Sequence, residues 1–87
     1  MSMVEAQILT RVLAPEDSSL DRKAAEAILA MGFKAADKQR MDELAEKARQ
    51  GALSPDERTE AESYERVGHF LSLLKSKARR SLTSALA

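Results

Sequence analysis

The chain has 87 residues, with 14 basic and 14 acidic side chains, one histidine and no cysteine, and by length it makes one domain at most. Zero net charge removes the simplest argument for nucleic acid or an anionic membrane as a partner. Without cysteine there is no disulfide framework or thiolate site, and a single histidine leaves no zinc-type ligand set.

A chain this short buries only about 60–65% of its extended surface. Much of its apolar content is alanine, and Phe33, Tyr64 and Phe70 are its aromatics, so the expected core is thin. No apolar run reaches the roughly 18–20 residues of a membrane span. The first eleven residues carry Glu5 early and lack a basic leader and a small-residue cleavage site. The expectation is a cytoplasmic protein with no membrane association.

The first element is a helix over residues 2–13. Val4, Ile8, Leu9, Val12 and Leu13 fall near one face. Ala14-Pro15-Glu16-Asp17-Ser18 reads as a linker, because Pro15 disfavours helix at Ala14 and the rest is turn chemistry. Residues 1–19 are therefore set apart as an N-terminal helix and linker, docked or free, from a helical domain over 20–87.

A second helix is expected over 20–31. Ser19 caps it, and Leu20, Ala24, Ala27, Ile28 and Met31 form its buried stripe. Gly32 is expected to stop it in a left-handed C′ conformation, with Phe33 as the packing residue beyond. The third helix spans 35–50, with an apolar stripe of Met41, Leu44, Ala45 and Ala48 and a Glu43–Lys47 pair. Lys34 is a poor cap for it, and Gly51 ends it.

The fourth helix has the clearest start. Ser54-Pro55-Asp56-Glu57 is a capping box with proline at the first helical position. Only Gly68 interrupts the run, so the helix continues to about Leu82 or beyond. Ala61, Tyr64, Val67, Leu71, Leu74, Ala78 and Leu82 make a continuous seam, flanked by Phe70 and Gly68. Some 28 residues at about 1.5 Å each span about 42 Å, whereas the third helix spans about 24 Å. The C-terminal two turns are thus expected to overhang with an apolar stripe, which calls for an external cover. The fold class is all-α: a small bundle of three to four helices with a long C-terminal helix.

No constellation supports catalysis. His69 faces away from the seam with Glu65 at i−4, and Ser72 lies too far round the helix to pair with it, so a solvated helix residue is the simpler reading than a general base. Asp56, Glu57, Glu60, Glu62 and Glu65 sit at a helix N-terminus, interleaved with Arg58 and Arg66, which suits the helix dipole better than a metal site. Catalytic, cofactor-binding and metal-ligating residues are each expected to be none. Lys75, Lys77, Arg79 and Arg80 form a basic segment with no acid between Arg66 and the end. They spread around the helix everywhere but the seam, unlike a groove-reading face. Leu73 stands alone on the polar side.

The blocks Ala27-Ile28-Leu29 with Phe33, Met41-x-Glu43-Leu44-x-x-Lys47, Gly51-x-Leu53-Ser54-Pro55-x-Glu57-Arg58 and Tyr64-x-Arg66-Val67-Gly68-His69-x-Leu71, running into Lys77-Ala78-Arg79, carry a resemblance. From Leu20 to Leu82 the chain resembles a group of short bacterial helical proteins. Their genes often lie beside genes for HNH-type endonucleases. The resemblance implies an accessory or antitoxin-like protein that binds such a nuclease. Lys34 departs from the Ser or Glu usual there, which bears on capping alone.

The reading is a non-enzymatic protein-binding module that forms a homo-oligomer. Its candidate interaction residues are Tyr64, Val67, Gly68, Leu71, Leu74, Lys75, Lys77, Ala78, Arg79, Arg80 and Leu82. The alternative is a small nucleic-acid-binding protein or repressor using the basic helix end, aided by Lys23, Lys34, Lys38 and Arg40 if they align with it.

Overall fold

Ser54 and Glu57 start the longest helix as the capping box requires. The Glu57 amide donates to Ser54 Oγ at 3.1 Å, and the Ser54 amide donates to a Glu57 carboxylate oxygen at 3.0 Å. The computed structural model describes residues 2–86, with side-chain surroundings to residue 84. It contains α1 (Met3–Leu13), α2 (Arg22–Leu29), α3 (Ala35–Arg49) and α4 (Pro55–Leu86), and no strand among the described residues. The all-α class and the long C-terminal helix are as the sequence predicts.

The ends of the shorter helices follow local chemistry. Ser2 caps α1 by accepting from the Glu5 amide at 3.1 Å. Ala14 closes α1 with φ +45°, its amide donating to the Thr10 carbonyl at 2.9 Å. Lys34 gives α3 no side-chain cap, as its chemistry implies, and Gly51 takes φ +65° beyond the other end.

The second helix departs from expectation. It starts two residues later, because Asp21 rather than Ser19 is the cap, accepting from the Ala24 amide at 2.8 Å. It stops at Leu29 with Ala30 in right-handed geometry, and Gly32 does not adopt positive φ. The expected left-handed stop at Gly32 is thus not formed. Its buried face is also turned: Ala25 is fully buried, whereas Ala27 and Met31 are exposed.

Packing divides the chain into two units, Met1–Gly32 with Gly68–Ala87, and Phe33–Val67, so α4 contributes to both. In the second unit, Leu44 is buried on α3, and Met41, Leu53, Ala61 and Tyr64 are half-buried. Ala45 and Ala48, expected on the apolar stripe, are exposed. The Phe33 and Tyr64 rings meet edge to face at 5.9 Å.

In the first unit, α1, α2 and the C-terminal half of α4 share one core. Ala25 and Ala78 have no exposure, and Ser81 is buried. Ser81 Oγ accepts from the Leu20 amide at 3.2 Å and donates to the Lys77 carbonyl at 2.9 Å. The expected overhang of α4 is therefore overturned. Comparing helix lengths leaves out which neighbours lie beside the C-terminal turns, and these are covered from within by residues that precede α3. Leu73, expected to stand alone on the polar side, is half-buried.

Candidate interaction surface

The candidate residues on α4 fall into three groups. Ala78 is fully buried, and Tyr64, Gly68, Leu71, Leu74, Lys75, Lys77 and Leu82 are half-buried. Val67, Arg79 and Arg80 are exposed. The Tyr64 hydroxyl donates to Asp37 Oδ1 at 2.7 Å, and that bond raises its pKa. Lys77 is committed within the chain as well: its Nζ donates to the Leu13 carbonyl at 3.0 Å, placing an ammonium at the negative end of α1. Lys77, expected among the residues available to a partner, is thus engaged inside its own unit.

Two of the expected carboxylates, Glu57 and Glu60, are held by cations of α3. Arg40 reaches Glu60 with bonds of 2.9 and 2.8 Å, Glu43 at 3.1 Å and Glu57 at 3.6 Å. The expected Glu43–Lys47 pair is not formed: Lys47 meets Glu57 of α4 at 2.5 Å, and Glu43 pairs with Arg40 on its own helix. The Lys47 ammonium, together with the Ser54 amide, lowers the Glu57 pKa to about 2. Arg40 lowers that of Glu60 and is itself raised. These groups neutralise one another and hold α3 on α4. Arg40 is thereby withdrawn from any basic face shared with Lys23, Lys34 and Lys38. Among the described residues, no group of three or more His, Asp or Glu is placed to hold a metal ion.

Of the large apolar side chains exposed among the described residues, Met31, Val67 and Phe70 are scattered, and the other four lie together on α1. Met3, Val4, Ile8 and Val12 keep 75, 62, 46 and 74% of their surface. Val4, Ile8 and Val12 follow one another at i, i+4 and i+8, a single row on the helix. Leu9 and Leu13 are half-buried and face the unit's core. The apolar residues of α1 therefore make two rows, centred about 120° apart at about 100° per residue. Sequence reasoning merged them into one face, and the signal it passed over was their width. A stripe holding both Leu9 and Val4 is too broad for one neighbouring helix.

Beside the outer row, Met3, Ala6, Gln7, Thr10, Arg11 and His69 line a cleft of about 550 Å³. His69 is exposed there and makes no ion pair with Glu65. No helix is long and apolar enough to cross a membrane among the described residues. Comparison with protein-family models, with curated proteins and with solved structures finds no match to the chain.

Proposed function

We propose that the protein is a non-enzymatic protein-binding module whose working surface is the solvent-facing row of α1. The carrying observation is the exposure of Met3, Val4, Ile8 and Val12 together on one eleven-residue helix. A lone exposed apolar side chain is ordinary, but a row of three with a fourth on the same helix is unfavourable in water unless something covers it. A helix with anchors at i, i+4 and i+8 suits an apolar groove on a partner.

The resemblance to bacterial proteins encoded beside HNH-type endonucleases supports a nuclease as that partner, with an accessory or antitoxin-like role. Self-association belongs to the proposal in restricted form. Ala78 is used up inside the chain, which leaves Val67 and Phe70 on α4, apart from α1, as apolar surface for a second copy. The nucleic-acid alternative keeps Lys75, Arg79 and Arg80. It is the weaker reading because Arg40 and Lys77 are engaged within the fold.

The test is capture of the partner from the native host, followed by reconstitution from purified components. Val4→Glu with Val12→Glu should weaken the reconstituted complex at least about tenfold while leaving the melt unchanged, since both sites are exposed. If that pair is silent and Arg79→Gln with Arg80→Gln abolishes binding, the working surface is the basic end. Duplex DNA titrated in parallel tests the alternative.

A further inference from the structure

The row Val4–Ile8–Val12 has a charged border on each side. At about 100° per residue, Arg11 lies between the row and the cleft, and Glu5 lies on the far side. Past Arg11 the surface drops into the cleft, where Arg11 and His69 are the only ionisable lining groups among the described residues and Met3 and Ala6 supply apolar surface. Among the described residues no carboxylate lines it. A partner segment covering the row from this side must pass over a guanidinium that has no ion pair among the described residues.

Area argues against a second copy as the occupant. A helix of eleven residues is about 16 Å long. A symmetric contact confined to it falls well short of the roughly 800 Å² per partner of a standard interface. A larger partner that fills both row and cleft comes closer to that size.

Resting on the protein-binding reading, we propose that the occupant is a segment of a different protein that sets a carboxylate beside its apolar anchors. The apolar anchors cover Val4, Ile8 and Val12, and the carboxylate meets Arg11 at the lip of the cleft. The shape of the row gives attachment, and Arg11 gives selection, because a lysine brought to the same lip would face a like charge.

A displayed library of amphipathic helical peptides, selected on the full chain, provides the probe. Sequences retained on the wild-type protein and lost on the Val4→Glu, Val12→Glu variant should be enriched in Asp or Glu next to Leu, Ile or Phe. Arg11→Gln should weaken those peptides by about five-fold, the scale of a partly exposed ion pair, and Arg11→Lys should restore most of the loss. Arg11 is exposed, so its melt should not move.

Retained peptides without acid enrichment, or equally strong on Arg11→Gln, overturn the carboxylate and leave the docking face standing. Peptides indifferent to Val4→Glu, Val12→Glu, or no enrichment at all, overturn both. A concentration-dependent dimer that dissolves in the Val4→Glu, Val12→Glu variant puts a second copy on the face and overturns the proposal.

Discussion

Lys77 shows how one hydrogen bond changes the meaning of a residue. Viewed on an isolated helix it is one of four solvated cations, but its ammonium satisfies the Leu13 carbonyl at the end of α1. Lys77→Gln should therefore cost about 1 kcal/mol, a drop of about 4–8 °C in the thermal midpoint. Arg80→Gln, at an exposed site with no ion pair among the described residues, should leave the midpoint unchanged. Equal effects from the two substitutions would mean that the Leu13 contact does not hold in solution. Glu57 makes a second prediction. Its folded pKa of about 2 lies below the ordinary 4.5, so its contribution is complete above about pH 4.5 and is lost as pH falls toward 2. Gln can still accept from the Ser54 amide. Glu57→Gln should hence retain the cap while flattening the fall in thermal midpoint between pH 5 and pH 2, on the order of that titration window. Parallel acid limbs for both proteins would refute the assignment.

At the scale of elements, the helix ends divide into those set by their own residues and those set by neighbours. The Ser54–Glu57 box and the glycine after α3 need only local geometry, and both stand where the sequence puts them. Gly32 shows the limit. A glycine two or three residues past a helix invites a left-handed stop, yet α2 ends earlier with Ala30 right-handed. The two glycines should consequently respond in opposite ways. A Cβ at either meets nothing within 4 Å, so only backbone conformation distinguishes them. Gly51→Ala should cost about 1–2 kcal/mol, because φ +65° is disfavoured for an L side chain. Gly32→Ala should be neutral or gain about 0.4–1 kcal/mol by restricting the unfolded chain. Chemical denaturation of both variants decides this, and a loss at Gly32 equal to that at Gly51 would sink the distinction.

For the whole molecule, the decisive quantity is how little is buried. Ala25, Leu44 and Ala78 are the buried apolar side chains among the described residues, and no large side chain is fully enclosed. At about 25 cal/mol per Å², two alanines and a leucine supply only modest stabilisation. Half-buried contacts and the Arg40 and Lys77 bonds carry a correspondingly larger share. This is the thin core that the alanine content announces. It also leaves the outer row of α1 exposed, because the interior of its unit is already satisfied by Leu9 and Leu13 from the same helix.

The all-α class, four helices, the α4 capping box, the weak cap at Lys34 and the ends of α3 were legible in the sequence. Each depends on residues within a turn or two of one another. The pairing of helix faces was not legible, because apolar periodicity says which residues seek cover and not which neighbour provides it. That is why the seam from Leu71 to Leu82 looked unpartnered, and why the two rows of α1 looked like one. Only the tertiary structure decided that residues from both sides of α3 in the chain meet in one unit. It hid Ala78 and Ser81, engaged Lys77, and turned Val4, Ile8 and Val12 toward the solvent.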